Sequence, residues 1–331
     1  DYGVNFTKID IMDFGMAHWE IDQQTDTNGD GVTDTLDTND GSITCLIDNS
    51  GMVHVWFGYA KVFCDGGTGT TFLPFVGALI YWDENVTGAL PAVTALGTFD
   101  CNGDGGFSLG SGYSISGNYV QDANYRANGL INFPQASIGP DGNLYVVYSV
   151  VMEMDTSDGS SGSPSGQNYR DLFASYSSDN GTTWSSPVNL TRTYHWEDAF
   201  PSVTRNADNN LNIVWQEDDE PGTILTNGDN SGLNYIKYIA VPTSYVVTHG
   251  TAGDMICDQS ADVPSIPTLN ASATVYPNPT SSYATIEINC SETKSARMDV
   301  YNVLGEKVGS ENLGHLKSGK TSIPFDFNLS N

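Results

Sequence analysis

The sequence predicts an all-β chain whose first three quarters are built as β-propeller blades, and three observations carry that reading. Gly, Ser, Thr, Asn and Asp are abundant, while the long Ala/Glu/Lys/Leu patterns of helices are missing. A gapless repeat relates FPQASIGPDGNLYVVYS (Phe133 to Ser149) to FPSVTRNADNNLNIVWQ (Phe200 to Gln216), with a looser copy, SITCLIDNSGMVHVWFG, from Ser42 to Gly58. Each copy runs a short strand into an Asp/Asn/Gly turn and out along an alternating apolar strand, and a further apolar stretch follows near Leu79, Phe173 and Tyr235. The unit is therefore four strands, too few to bury both faces alone.

Taken in order, the opening NFTKIDIMDFGMAHWEI offers strands of a further blade, and three repeat units follow it. Closed propellers use about 4 to 8 blades, so the chain is either a C-terminal piece of one or a small propeller with highly diverged blades. Polar insertions, the Gly-rich segment from Asp100 to Gly117 and TSDGSSGSPSGQN from Thr156 to Asn168, stretch the spacing and are expected as surface loops.

A net charge of −28, from 12 Lys+Arg against 40 Asp+Glu, repels nucleic acid and anionic membranes and favours cations or neutral partners. No apolar run is long enough to span a bilayer. Asp1 follows neither a basic n-region nor an apolar h-region, so any export signal is removed or lies outside this sequence. Five cysteines without a C-x-x-C pair suggest no zinc site; Cys45 and Cys64 flank one hairpin and could bridge in an oxidising compartment.

The sharpest chemical signal is DTNGDGVTDTLD, which sets Asp26, Asn28, Asp30, Asp34 and Asp37 at loop positions 1, 3, 5, 9 and 12, with Gly31 at 6 and the Val32 carbonyl at 7. A hard cation taking six to eight oxygens suits this spacing, so a structural Ca2+ is expected. The stretch resembles the D-x-[DN]-x-D-G loops of EF-hands, dockerins and thrombospondin type 3 repeats; Asp at position 12 and the lack of flanking helices favour the last two. DCNGDGGFS repeats the opening at Asp100, Asn102 and Asp104, but Ser111 stands at position 12, so this loop is the weaker metal candidate beside a plain Asn/Asp/Gly turn.

After the third strand of its unit, SSDNGTTW resembles the Asp-box, or bacterial neuraminidase repeat, of sialidase-like propellers. The resemblance implies a structural turn: Ser177 and Asp179 fasten the backbone, Gly181 sits in the turn, and Trp184 packs beneath it. In propellers the connection from one blade to the next opens on the ligand-bearing face, which puts Tyr125 and Arg126, and Tyr194, Trp196, Glu197 and Asp198, forward as ligand-binding candidates. Aromatic faces beside carboxylates suit a sugar ring; the alternative is that Trp196 packs between blades and the acids are merely solvated. A sialidase needs three arginines around the substrate carboxylate, and the five here (Arg126, Arg170, Arg192, Arg205, Arg297) include no F-R-I-P-like segment. No catalytic residue is therefore assigned. The leading expectation is a calcium-stabilised binding or adhesion module for glycans or surface partners, the alternative a secreted sialidase-like glycoside hydrolase.

A compositional break, residues 251–270, is expected as a linker between the blades (1–250) and a small C-terminal domain (271–331). YPNPTSS (Tyr276 to Ser282) followed by VYNVLGEKV (Val300 to Val308) resembles the type A C-terminal sorting domain of the type IX secretion system of Bacteroidota. That resemblance implies a small Ig-like β-sandwich, the secretion machinery as a partner, and a destination outside the cell or on its outer surface. The chain stops at Asn331, before the final lysine-bearing strand usual in that family, so the domain reads as truncated at its end.

Overall fold

The computed structural model describes residues 8–13, 15–16, 19–20, 22–67, 70–105, 107, 114–116, 119–121, 129–157, 167–222, 234–257, 271–276, 283–290, 294–301 and 307–326. It forms two compact units, Asp1–Val263 and Pro264–Asn331.

In the first unit, β1 (Leu36–Ile47), β2 (Val53–Phe63), β3 (Thr71–Asp83) and β4 (Ala92–Ala95) form one antiparallel sheet in chain order. A small hairpin, β5 (Ser114–Ser116) and β6 (Tyr119–Gln121), precedes the second sheet, again in chain order: β7 (Ile131–Ile138), β8 (Leu144–Thr156), β9 (Asn168–Ser177) and β10 (Val188–Asn189). The third has three strands among the described residues, β11 (Glu197–Val203), β12 (Asn210–Asp218) and β13 (Tyr235–Pro242). The sequence repeat therefore reappears as three up-and-down sheets, and the all-β fold class holds. The opening segment supplies no strand among its described residues; Ile11 and Met12 pack instead on the outer cluster of the first sheet, with Val55, Phe57, Ile80 and Trp82.

Strand β8 shows why the sheets stack. Its run LYVVYSVV is buried on both faces: Val146, Tyr148 and Val150 join Trp56, Leu79 and Tyr81 of the first sheet, while Tyr145 and Val147 join Leu211, Ile213 and Trp215 of the third. Period-2 alternation thus feeds two cores from one strand.

Each sheet's first strand carries a register shift, between Asn39 and Ile43, Asn132 and Gln135, and Ala199 and Ser202. In the last two the bulge places the Phe of the repeated Phe-Pro in the left-handed region, Phe133 at φ 52° and Phe200 at φ 53°, with ring centroids 4.6 Å apart. The three first strands also meet at Arg170, which is 1% exposed. Its guanidinium lies 3.6 Å from Glu197 of β11 and donates to Asn132 of β7, and it holds down the pKa of buried Asp40 on β1, although burial raises that carboxyl overall.

After β13 the chain turns into α1 (Thr243–Ala252), which composition did not announce. Pro242 starts it and left-handed Gly253 closes it, the Gly253 N–H donating to the His249 carbonyl at 2.7 Å. Val246 is buried, and a Cβ on Gly250 would stand 2.8 Å from Ser185 Oγ, so the helix packs closely on the chain between β9 and β10 at this glycine. The stretch from Thr251 to Cys257, expected within a linker, stays on this unit: Asn189 N–H donates to the Met255 carbonyl, and Cys257 is disulfide-bonded to Cys101. The bridge that Cys45 and Cys64 could have made does not form: Cys45 is exposed on β1 and Cys64 is buried.

The second unit pairs β14 (Ala271–Tyr276), β15 (Tyr283–Cys290) and β18 (Gly319–Asp326) in one antiparallel sheet and β16 (Lys294–Tyr301) with β17 (Lys307–Leu316) in another. Residues 277–282 and 302–306, which carry parts of both sorting-domain motifs, lie outside the described residues.

Candidate ligand loop and cation loops

Loop 190–196, between β10 and β11, is tied down from below. Leu190 N–H donates to the Leu172 carbonyl and Leu172 N–H to Thr191 Oγ1, continuing the strand pairing. Arg192 and His195 then take left-handed backbone, φ 52° and 59°, a strain that the surrounding bonds hold in place. Arg192 N–H donates to Asn189 Oδ1, Asn189 Nδ2 to Asp171, Thr193 N–H and Oγ1 to Asp171, and His195 N–H to Asp155 at 2.9 Å. Thr193 Oγ1 also lies 2.6 Å from Asp198, whose other oxygen accepts from Trp215 Nε1.

Those three carboxyls, from β8, β9 and β11, have no exposed surface. Burial pushes Asp171 up to about 6 against its hydrogen-bond donors, pushes Asp155 up to about 7 with Asp171 adding to it, and raises Asp198 well above the ordinary range, Asp171 again adding.

Above the pinned backbone the loop turns aromatic. Tyr194 is 55% exposed and stacks on His195 at 3.9 Å; His195 in turn stacks on buried Tyr169 at 5.6 Å. Half-buried Trp196 meets Tyr235 edge-on at 6.1 Å, and Lys237, paired with Glu217, lies over both rings.

Of the ligand-binding residues expected from sequence, Tyr194 and Trp196 are on this surface. Glu197 and Asp198 are not: they open β11, whose first three residues are buried, and their carboxylates are engaged by Arg170 and by Trp215 and Thr193. Tyr125 and Arg126 lie outside the described residues. Sequence reasoning missed Asp155, Asp171 and Thr193, although one sign was there: Arg170 and Asp171 are the charged residues of strand β9, which is buried along almost its whole length, and buried charge needs a partner.

The two Asp/Asn/Gly loops fold alike. In the first, Asp26 Oδ1 accepts from Gly29 N and Asp30 N, its Oδ2 from Gly31 N, and Asn28 Oδ1 from Asp30 N. In the second, Asp100 accepts in the same way from Gly103, Asp104 and Gly105, and Asn102 from Asp104. They part beyond position 6. Asp34 turns back to the backbone N–H and hydroxyl of Thr27, while Asp37 is in β1, bonded to the Tyr59 hydroxyl at 2.6 Å and to Lys61 at 2.9 Å, a pairing that occupies the residue expected at position 12. The second loop instead receives Glu153 from β8, 5% exposed, which accepts from Cys101 N, Asn102 N and Asn102 Nδ2. Asp100, Asp104 and Glu153 each bring an oxygen within 4.8 Å of the others, the one such acidic group among the described residues.

The turn after β9 is internally bonded. Ser177 Oγ donates to Asp179 and accepts from Gly181 N, and Asp179 accepts from the N–H and hydroxyl of Thr183, which hold its pKa down. It wedges against the first sheet: Tyr81 donates to the Asn180 carbonyl, Trp184 stands edge-on to Trp56 and Tyr81, and a Cβ on Gly181 would overlap the Tyr81 hydroxyl at 2.1 Å.

No curated protein matches the chain. Among solved structures it is similar to the Hadza microbial sialidase Hz136, at 12% identity and TM-score 0.32, over 80% of this chain and 52% of that one. It is similar too to a protein of unknown function from Dyadobacter fermentans DSM 18053, at 10% identity and TM-score 0.33, over 82% and 69%. The chain thus spans about half the length of the sialidase, and likenesses this distant say nothing of activity. Residues 274–330 match the secretion system C-terminal sorting domain, which marks this as a protein delivered by type IX secretion to the cell surface or the extracellular space.

Proposed function

We propose that the first unit is a calcium-stabilised binding module for neutral glycans, displayed outside the cell after export. One observation carries the reading: Tyr194, His195 and Trp196 stand on a strained loop pinned by buried carboxyls, with Tyr235 of β13 edge-on to Trp196, so the stacking faces are set before any ligand arrives. Stacking on sugar C–H faces, with Lys237 and Glu217 at the edge for hydroxyls, suits a neutral saccharide. Preorganisation lowers the ordering cost of such weak contacts.

Calcium belongs to the same reading. The oxygens of Asp100, Asp104 and Glu153, with Asn102 beside them, fit a hard cation, and Asp26, Asn28 and Asp30 open the first loop with the same geometry, ahead of the Val32 carbonyl and of Asp34, which is turned to Thr27. Bound there, the ion would hold the connection between the first two sheets rigid.

Glycan-array screening followed by calorimetry on the best ligand tests the proposal. Tyr194→Ala should weaken binding about tenfold, as expected for one lost stacking face of 1–2 kcal/mol. Unchanged affinity in that variant, or turnover of the ligand, would overturn a binding-only role.

A further inference from the structure

The hydrogen bonds beneath the loop do not add up with both central carboxyls ionised. Thr193 Oγ1 lies 2.6 Å from Asp198 Oδ2 and 3.1 Å from Asp171 Oδ1, and a hydroxyl has one hydrogen to give. With both groups charged, one of those contacts is lone pair against lone pair, between two negative charges that have no exposed surface. One more proton removes the conflict.

The neighbours say where it resides. Asp171 is surrounded by donors: Asn189 Nδ2 at 2.7 Å, Thr191 Oγ1 at 3.1 Å and Thr193 N–H at 3.2 Å. The Asn189 amide cannot turn its oxygen to Asp171, because that oxygen already accepts from Arg192 N–H. Asp198 receives one fixed donor, Trp215 Nε1, on Oδ1; the Thr191 hydroxyl, which also reaches it, has a partner in Asp171 Oδ1, so Oδ2 can carry the hydrogen and donate it to Thr193. The cation nearest in sequence gives no relief, since Arg170 is held by Glu197.

We propose that Asp171 and Asp198 hold a single proton between them, resident on Asp198 and donated to the Thr193 hydroxyl, and that this proton locks loop 190–196 in the shape that presents Tyr194, His195 and Trp196. The Thr193 hydroxyl then donates to Asp171, and every polar atom of the trio is satisfied. The raised pKa values of both carboxyls agree with this arrangement. Other charged groups surround the pair: Asp155 on β8, Arg170 on β9, Arg192 and His195 on the loop, Glu197 beside Asp198, and Glu217 and Asp218 on β12, with Lys237 of β13 paired to Glu217. Four of these eight are acids, and two of the four, Glu197 and Glu217, are paired with Arg170 and Lys237, so the repulsion that follows loss of the proton is chiefly that of Asp198 against Asp171, and it loosens the loop as pH rises. The proton itself does not depend on what the loop binds; the claim that it governs ligand presentation rests on the glycan reading.

Asn at position 198 copies a protonated carboxyl, its oxygen accepting from Trp215 and its NH2 donating to Thr193, whereas Asn at 171 turns a donor toward donors. Asp198→Asn should therefore keep the neutral-pH melting temperature and remove the part of the loss of stability on raising the pH that Asp198 contributes, leaving the share of Asp155 and Asp218, while Asp171→Asn melts lower throughout. Infrared difference spectra at about pH 8, above the about 7 of Asp155, should show a protonated carboxyl band in the wild type that Asp198→Asn removes. Absence of that band, or an Asp171→Asn variant that melts as the wild type while Asp198→Asn collapses, overturns the assignment. Should the infrared result hold while no glycan binds, the proton stands and the ligand reading falls.

Discussion

The loops opening at Asp26 and at Asp100 share a sequence pattern and four matching side-chain-to-backbone bonds, yet they end differently. The first carries the fuller set of acids in sequence, but Asp34 and Asp37 turn to Thr27 and to Tyr59 and Lys61. The second has serine where the spacing wants a ligand, and the fold brings Glu153 from a strand some fifty residues on. A linear motif fixes a turn; whether its carboxylates converge is a question of which strand lies beside it.

Breaking the support of the second loop should have the largest effect. Cys101 is inside that loop, and its bond to Cys257 closes a separation of 156 residues. Cys257→Ser should cost about 4 to 5 kcal/mol on the chain-entropy scale, read by denaturant melts, and should weaken calcium at the second loop without touching the first. If the melt is unchanged by reduction, the disulfide does not hold the unit together.

Next comes Glu153→Ala. It strips the acceptor from Cys101 and Asn102 N–H as well as one oxygen of the proposed cation site, so a loss of about 2 to 3 kcal/mol is expected, together with loss of most of the chelator-induced drop in melting temperature. Asp30→Ala in the first loop should lower the melting temperature less and leave most of the chelator response. The reverse order of these two variants would show that the sequence spacing, and not the strand neighbour, chooses the cation site.

Titration separates exposed from buried acids. Asp26 and Asp34 have pKa values held below the ordinary carboxylate range, by Gly31 N–H first for Asp26 and by the Thr27 hydroxyl first for Asp34, so the stability they contribute is present above about 4 and is lost as pH falls below it. Asp155, Asp171 and Asp218 are raised by burial to about 7, 6 and 6, so their share is present below about 4 and is lost as pH rises through 4 to 7. Thermal melts across pH should peak on the acidic side of neutrality, a smaller effect than either loop variant. A peak above pH 7 would mean the buried acids are ionised in the fold.

Much of the architecture was legible in the chain. Alternation in LYVVYS and LNIVWQ, Asp/Asn/Gly turns and the repeated Phe-Pro give three sheets, because strand period and turn chemistry are local properties. The aromatic surface was half legible: Tyr194 and Trp196 stand where the inter-sheet connection places them, while Glu197 and Asp198, next in sequence, are already inside β11. The helix after Pro242 was hidden by its β-branched residues, Thr243, Val246, Val247 and Thr248, whose weak propensity is overridden by docking on the second sheet.

By itself, then, the sequence determined a β-rich chain of repeated hairpins, two Asp/Asn/Gly loops, a strongly acidic surface and a C-terminal export domain, all of them consequences of neighbours within a few residues. Only the tertiary structure decided that Glu153 completes the second loop, that Cys101 pairs with Cys257, that Arg170 joins three first strands, and that Asp155, Asp171 and Asp198 gather beneath one loop. Each of these joins residues from separate strands or loops of the first unit, and it is the stacking of one sheet on another that makes them neighbours.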